Sequence, residues 1–244
     1  MKRAYVAAVA ALAATLSLGA CAREPAPAVA QTAPAPMPPA QVEQQPASAA
    51  PRGDYLAGKH YQTFRTPTPT DVAPGKVEVI EFFWYGCGHC YALDPTLENW
   101  KATKAPYIEF RRVHVMWGPL HQQHAKIYYT LQALRRPDLH PLVFEEIHRY
   151  RNLLAAREPA EARALVQAFF QKNGVSRKDF DAAYDSMSVA TQLKRGEELA
   201  TRYAIESVPA IAINGRYLTD VTMAGGPADL IELINQLAAK EHDQ

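Results

Sequence analysis

Two cysteines separated by two residues, Cys87 and Cys90, directly follow a strongly apolar run over residues 77–85. The run is rich in β-branched and aromatic residues, which predicts a buried central strand. The dithiol would then lie where this strand ends and a helix begins. A helix N-terminus carries unpaired N–H groups and partial positive charge, and both favour a thiolate, the species that reacts in disulfide exchange. The sequence therefore predicts a redox dithiol at a strand-to-helix junction.

The two cysteines are expected to do different work. Cys87, at the helix cap, would be exposed and acidic, so that it attacks and is attacked in disulfide exchange. Cys90, one turn inside the helix, would resolve a mixed disulfide. His89 adds a donor or a positive charge near the Cys87 sulfur and favours its ionised form.

Three other uses of these cysteines have weaker support. A structural zinc site normally needs four ligands. The remaining candidates are Cys21, in a different kind of segment, and the pair His121 and His124, which nothing in the sequence places beside the dithiol. An inert disulfide between residues three apart closes too small a loop to stabilise much. Haem attachment would need histidine where Tyr91 stands. We expect no metal and no cofactor.

Residues 1–20 predict an export signal of the lipoprotein type. Two basic residues precede an apolar stretch, residues 4–18, that is too short to span a membrane comfortably. Residues 18–21, Leu-Gly-Ala-Cys, resemble the bacterial lipobox, whose cysteine becomes the lipidated first residue. We expect lipidation at Cys21, because an odd free thiol is a liability in an oxidising compartment. Ordinary cleavage beside this cysteine is the alternative.

Residues 21–52 are expected to form an Ala/Pro-rich tether. Of the 30 residues in 22–51, 18 are Ala or Pro, a composition that cannot bury enough surface to offset the entropy of ordering. A tail without function is the alternative. Ala22 stands where an aspartate is the usual inner-membrane retention signal, so the outer membrane is slightly favoured. The expected arrangement is a periplasmic domain held to a membrane by its lipid anchor only.

Residues 53–244 are expected to form one domain with an α/β fold. Predicted strands over 77–84 and 107–115 flank the dithiol helix in a βαβ unit. A hairpin over 209–218 with an Asn-Gly turn and a helix over 228–240 complete a thioredoxin-like sheet. The net charge of +1 gives no electrostatic argument for nucleic acid.

The region between the strands is too long for a loop. Apolar residues recur at helical spacing over 120–134, 141–150 and 159–172, with further helix starts at Ser176 and Ser188. These helices predict an inserted helical domain at about residues 117–188.

Four segments resemble the DsbA family of periplasmic thiol–disulfide oxidoreductases. The most specific is residues 79–91, with the sequence VIEFFWYGCGHCY. Residues 113–115 resemble the strand after the active-site helix, residues 207–210 the loop opposite the dithiol, and residues 214–217 the hairpin that follows. The resemblance extends from about Tyr61 to the C-terminus.

The resemblance implies residue roles. Cys87 would be the nucleophile and Cys90 the buried resolving thiol. The Val208–Pro209 bond would be a cis peptide that turns the Val208 backbone toward the dithiol, ready to pair with an extended substrate. A trans proline at the start of an edge strand is the alternative.

Glu81 is an acidic residue within the apolar strand. Such a buried carboxylate should have a raised pKa unless it is paired, and it could take or give the Cys90 proton. An exposed or salt-bridged glutamate is the alternative, with Arg112 on the neighbouring strand as a plausible partner. We expect His114 to be structural.

The chain departs from the resemblance between its cysteines. The best-known members have Pro-His there, whereas this chain has Gly88-His89, the dipeptide of eukaryotic protein disulfide isomerases. Glycine makes the turn more flexible. Because His89 is retained, we still expect an oxidising couple.

The implied function is a monomeric enzyme that introduces disulfide bonds into reduced exported polypeptides. A quinone-linked membrane oxidase would reoxidise it. One alternative is a reductase or isomerase on the same fold, although family isomerases dimerise through an N-terminal domain that the tether cannot form. A second alternative is a non-enzymatic envelope lipoprotein that binds peptides in its groove.

Overall fold

The structure, a computed structural model, describes residues 54–244. The predicted signal peptide, the tether and the lipidation of Cys21 lie outside the described residues. Among the described helices, none is long and apolar enough to cross a membrane.

A mixed five-stranded sheet lies at the centre of the described domain, with strand order β1-β5-β4-β2-β3. The strands are β1 Gln62–Thr63, β2 Val77–Phe83, β3 Ile108–His114, β4 Ala210–Ile213 and β5 Tyr217–Thr219. Strand β2 runs parallel to β3 and antiparallel to β4, and all seven of its residues are buried. The prediction of a buried central strand leading into the dithiol is therefore confirmed.

Helices cover both faces of this sheet. They are α1 Gly88–Thr103, α2 Pro119–Leu134, α3 His140–His148, α4 Pro159–Lys172, α5 Arg177–Tyr184, α6 Met187–Arg202, α7 Val221–Ala224 and α8 Pro227–His242. A 3₁₀ turn, Pro137–Leu139, precedes α3. The order of elements matches an α/β, thioredoxin-like sheet interrupted by helices α2 to α5.

Sequence reasoning placed most boundaries within a few residues. It started α6 at Ser188, but the Ser186 hydroxyl accepts the Val189 N–H and caps the helix earlier. It also started the hairpin at Pro209, which lies outside β4 because proline has no N–H for the ladder. The short elements β1 and α7 were missed.

The sheet is buried on both faces because the side chains of β2 alternate. Val77 and Val79 pack against α1 and α8. Ile80 and Phe82 pack on the opposite face, with Tyr203 at the end of α6. Burying each such side chain contributes about 1.5–3 kcal/mol.

The helical insertion has a core that continues to the dithiol. Its buried side chains include Ile127, Leu131, Val143, Phe144, Val166, Phe170 and Phe180. The same cluster contains Phe83, Tyr85 and Cys90, which belong to the end of β2, the loop after it and α1. The insertion therefore packs directly against the segment that carries the cysteines.

Candidate active site

The two cysteines lie at the first turn of α1. Cys87 is the N-cap residue, with extended backbone, and its Sγ accepts a hydrogen bond from the Cys90 N–H at 3.4 Å. Cys87 is partly exposed, whereas Cys90 is fully buried. Both are free thiols in this structure. The predicted difference in exposure is present.

The surroundings separate the two thiols chemically. The Cys90 thiol donates a hydrogen bond to Cys87 and, with smaller contributions from the Cys90 and His89 backbone N–H groups, lowers the Cys87 pKa to about 6 although partial burial opposes this. Burial raises the pKa of Cys90 far above its ordinary value. Near neutral pH, Cys87 is therefore a thiolate and Cys90 a thiol. His89 is exposed beside them.

The loop before β4 faces the nucleophile. The Val208–Pro209 bond is cis, as predicted. The Val208 carbonyl oxygen lies 3.4 Å from the Cys87 Sγ. A cleft of about 310 Å³ opens next to the cis bond and is lined by residues that include His89, Leu93, Val208, Pro209, Val221 and Thr222. The cleft therefore adjoins the Val208 backbone, whose carbonyl lies beside the Cys87 sulfur.

Glu81 lies on β2, directly opposite Arg112 in the β2–β3 register. Its side chain is buried, and its Oε2 accepts a hydrogen bond from the Arg112 Nε at 2.6 Å. Burial raises the Glu81 pKa to about 7, although Arg112 opposes the shift. The buried carboxylate and the salt bridge, which the sequence offered as alternatives, are both present.

Two further carboxylates share this arginine and were missed from the sequence. Arg112 Nη2 lies 2.9 Å from Asp94 Oδ1, and Nη1 lies 2.5 Å from Glu98 Oε1. Asp94 and Glu98 follow Cys90 at successive four-residue intervals in α1, which places them on one helix face. This four-residue spacing was the sequence signal from which the two carboxylates could have been predicted to lie on the Cys90 side of the helix. Three carboxylates around one guanidinium favour a proton on one of them, which accords with the raised Glu81 pKa.

The other histidines singled out in the sequence, His114, His121 and His124, are held by hydrogen bonds or ring stacking. Trp84 Nε1 donates to His124 Nδ1 at 3.0 Å, and His124 Nε2 donates to a backbone carbonyl at 2.8 Å. The His121 ring stacks on Trp84, with centroids 4.2 Å apart. His114 is buried, donates from Nδ1 to the neighbouring carbonyl, and has a pKa well below its usual range because of that burial.

The described part of the chain has no group of three or more His, Cys, Asp or Glu side chains that could hold a metal ion.

Comparison with known proteins identifies the family. A family model described as thioredoxin matches residues 73–232. The chain is 38% identical over 189 residues to the thiol:disulfide interchange protein DsbA of Bordetella pertussis. This alignment covers 77% of this chain and 87% of that protein. It is 35% identical over 194 residues to DsbA of Pseudomonas aeruginosa, and this alignment covers 79% of this chain and 89% of that protein.

Solved structures agree with these relatives. The crystal structure of Pseudomonas aeruginosa DsbA matches with a TM-score of 0.71 and 34% identity, covering 78% of this chain and 95% of that one. The match extends over the sheet and the inserted helices together. As the motif over residues 79–91 predicted, the chain belongs to the DsbA family of thiol:disulfide oxidoreductases.

Proposed function

We propose that this enzyme introduces disulfide bonds into reduced exported polypeptides through the Cys87–Cys90 couple. The observation that carries the proposal is the contrast between the two thiols. Cys87 has its pKa lowered to about 6 at the helix cap, whereas burial raises that of Cys90. Stabilising the Cys87 thiolate stabilises the reduced enzyme, and this makes its disulfide a better oxidant.

The reaction would run through a mixed disulfide. A substrate thiolate attacks Cys87 Sγ in the oxidised enzyme, the Cys87–Cys90 bond breaks, and Cys90 leaves with the electron pair and takes up a proton. A second substrate thiolate then attacks the substrate sulfur of the mixed disulfide. Cys87 leaves as a thiolate, so that the substrate is oxidised and the enzyme holds the two electrons.

Glu81 would supply and accept the Cys90 proton. A pKa of about 7 lets this carboxyl exist in either protonation state near neutral pH. Its charge also raises the Cys90 pKa, so the two protonations are coupled. His89 would support the Cys87 thiolate from the exposed side of the turn.

The Val208–Pro209 loop would bind the substrate backbone. The Val208 carbonyl already lies 3.4 Å from Cys87 Sγ, so a bound peptide would have its cysteine beside a polar backbone group. Pairing through the backbone accepts many sequences, which suits an enzyme with varied clients.

The cellular setting is inferred from the sequence. The predicted export signal over residues 1–20, the expected lipidation of Cys21 and the expected tether over 21–52 support a periplasmic, lipid-anchored protein. Ala22 slightly favours the outer membrane, and we expect a monomer. The family resemblance supports reoxidation by a quinone-linked membrane oxidase.

The test is the reduction potential of the Cys87–Cys90 couple, measured by equilibration with glutathione. A value of roughly −180 to −120 mV supports a net oxidase, and a value near −270 mV supports a reductase. Cys87→Ser should abolish oxidation of a model dithiol, and Cys90→Ser should accumulate mixed disulfides. Wild-type oxidation rates in Cys87→Ser would contradict the scheme.

A further inference from the structure

Tyr85 lies two residues before Cys87 and is fully buried, and histidines hold all three of its polar groups. Its N–H donates to His114 Nε2 at 3.2 Å. Its carbonyl accepts from His148 Nε2 at 2.8 Å. Its hydroxyl lies 2.7 Å from His140 Nδ1. These histidines come from β3 and from the two ends of α3, so two distant elements fix one residue of the loop that leads to the nucleophile.

Both histidines of α3 also contact α1 beyond Cys90. His140 Nε2 lies 3.2 Å from Asp94 Oδ1. The His148 ring stacks on Tyr91, with centroids 4.8 Å apart and planes 3° from parallel. Each of the two histidines therefore bridges the loop before Cys87 and the helix after Cys90. Helix α3 of the insertion therefore contacts the chain on both sides of the Cys87–Cys90 motif, once through His140 and once through His148.

The direction of the His140 bridge follows from its partners. Asp94 Oδ1 accepts from Arg112 Nη2, so it is an acceptor and His140 Nε2 carries the hydrogen toward it. The Nδ1 of the neutral ring then accepts from the Tyr85 hydroxyl. Burial lowers the His140 pKa, which agrees with a neutral ring. Arg112 Nη2 contacts the same Asp94 oxygen at 2.9 Å, so the bridge ends on the buried ion cluster.

The Cys87 thiolate depends on accurate placement. Its Sγ accepts from the Cys90 thiol and, at 3.4 Å, from the Cys90 N–H, and such bonds weaken steeply as their angles and distances depart from the optimum. Gly86 and Gly88 flank Cys87, so no neighbouring side chain within the loop can lock its position. Backbone bonds within the loop and helix fix Cys87 itself, since its N–H donates to the Trp84 carbonyl at 3.0 Å, and further restraint on the loop comes from contacts with other elements.

We propose that His140 and His148 are positioning residues of the redox site, which hold the Tyr85 segment against α1 and so keep Cys87 at the helix cap. The inference rests on the proposed redox use of Cys87 and Cys90. It gives the helical insertion a part in setting the oxidising strength of the couple.

Two variants that keep an aromatic ring test the bridges in the purified full chain. Tyr85→Phe removes the hydroxyl that bonds His140, and His148→Phe removes the N–H that bonds the Tyr85 carbonyl while keeping a ring against Tyr91. Each should shift the glutathione equilibrium toward the disulfide by roughly three- to tenfold, or about 14–30 mV, the size expected for one buried hydrogen bond. Each should also raise the pH midpoint of Cys87 ionisation.

Tyr128→Phe is the matched control. Tyr128 is buried in the same core, and its ring packs edge-on against Tyr85 and His140, contacts that phenylalanine keeps. Its hydroxyl donates to the Arg112 carbonyl at 3.1 Å and belongs to neither bridge. This variant should lose stability but keep the wild-type equilibrium and ionisation midpoint. The double variant Tyr85→Phe/His140→Phe should shift the equilibrium no further than the larger single change, because both break one bridge.

The proposal is overturned if Tyr85→Phe and His148→Phe stay within twofold of the wild-type glutathione equilibrium and keep the wild-type pH midpoint of Cys87 ionisation, whatever stability the two variants lose. These measurements need no client protein. A wild-type chain that fails to oxidise dithiols would contradict the proposed function and leave the effect of the bridges on the couple measurable.

Discussion

Replacing Glu81 with glutamine should stabilise the reduced protein at neutral and alkaline pH. The Glu81 pKa is about 7 in the folded protein against 4.5 for the ordinary group, because burial opposes ionisation. Its folded form therefore binds the proton more tightly, and the stability that this proton contributes is complete below about pH 4.5. That stability is lost as the pH rises through about 7. At about 1.4 kcal/mol per pKa unit, the loss is about 3 kcal/mol.

Glutamine resembles the protonated carboxyl in shape and has no charge to bury. Arg112 keeps two carboxylates after the change, Asp94 at 2.9 Å and Glu98 at 2.5 Å, so the guanidinium stays paired. Glu81→Gln should therefore raise the free energy of unfolding by about 3 kcal/mol at pH 8 and change it little at pH 4.

Urea denaturation with excess reductant, followed by far-UV circular dichroism at pH 4 and pH 8, measures this difference. Glu109→Gln is the control, because Glu109 is an exposed carboxylate on β3 that pairs with Lys76 at 3.3 Å. It should stay within about 0.5 kcal/mol of wild type at both pH values. A Glu81→Gln variant no more stable than wild type at pH 8, or one with the same difference at pH 4 and pH 8, would refute the reasoning.

Three further outcomes are expected, one from the acidity of Cys87, one from the packing of Phe82 and one from the cap of helix α6. Alkylation of the reduced protein by iodoacetamide should accelerate through a midpoint near pH 6, because the Cys87 pKa is about 6 and only the thiolate reacts; a midpoint above pH 8 would contradict this. Phe82→Ala should cost about 3–5 kcal/mol in urea denaturation, since Phe82 is fully buried, and a loss below 1 kcal/mol would count against that packing. Ser186→Ala should lower the free energy of unfolding by about 1 kcal/mol through loss of the α6 cap, whereas Ser188→Ala, two residues further on and inside the helix, should lower it less. Equal losses would place the cap elsewhere.

The redox site and the helical insertion were predictable because their signals are local. The apolar run, the Cys-x-x-C spacing and the helix start at Gly88 all lie within a few residues of each other, and period and capping are properties of short segments. The hairpin was recognisable for the same reason, since Asn214 and Gly215 both have positive φ, as a tight turn between antiparallel strands requires. The prediction of a cis bond before Pro209 came from the family resemblance, and the structure confirms it.

Sheet register decided the state of Glu81. The sequence showed an acidic residue in a buried strand and an arginine in the next, but not whether they face each other. The structure pairs Glu81 with Arg112 in the β2–β3 ladder. A shift of one residue would have turned Arg112 to the other face of the sheet. The environment of the carboxylate, and with it the pKa, is therefore a tertiary property.

The bridges from α3 could be read only from the assembled fold. His140 and Asp94 are 46 residues apart in sequence, and His148 and Tyr85 are 63 apart. A histidine at either position has no local pattern that distinguishes a partner of the redox loop from a surface residue. The sequence by itself determined which groups do the chemistry, since that follows from residue type and local spacing. The tertiary structure decided which groups hold and tune them, because burial and contact between distant segments exist only after the helices pack on the sheet.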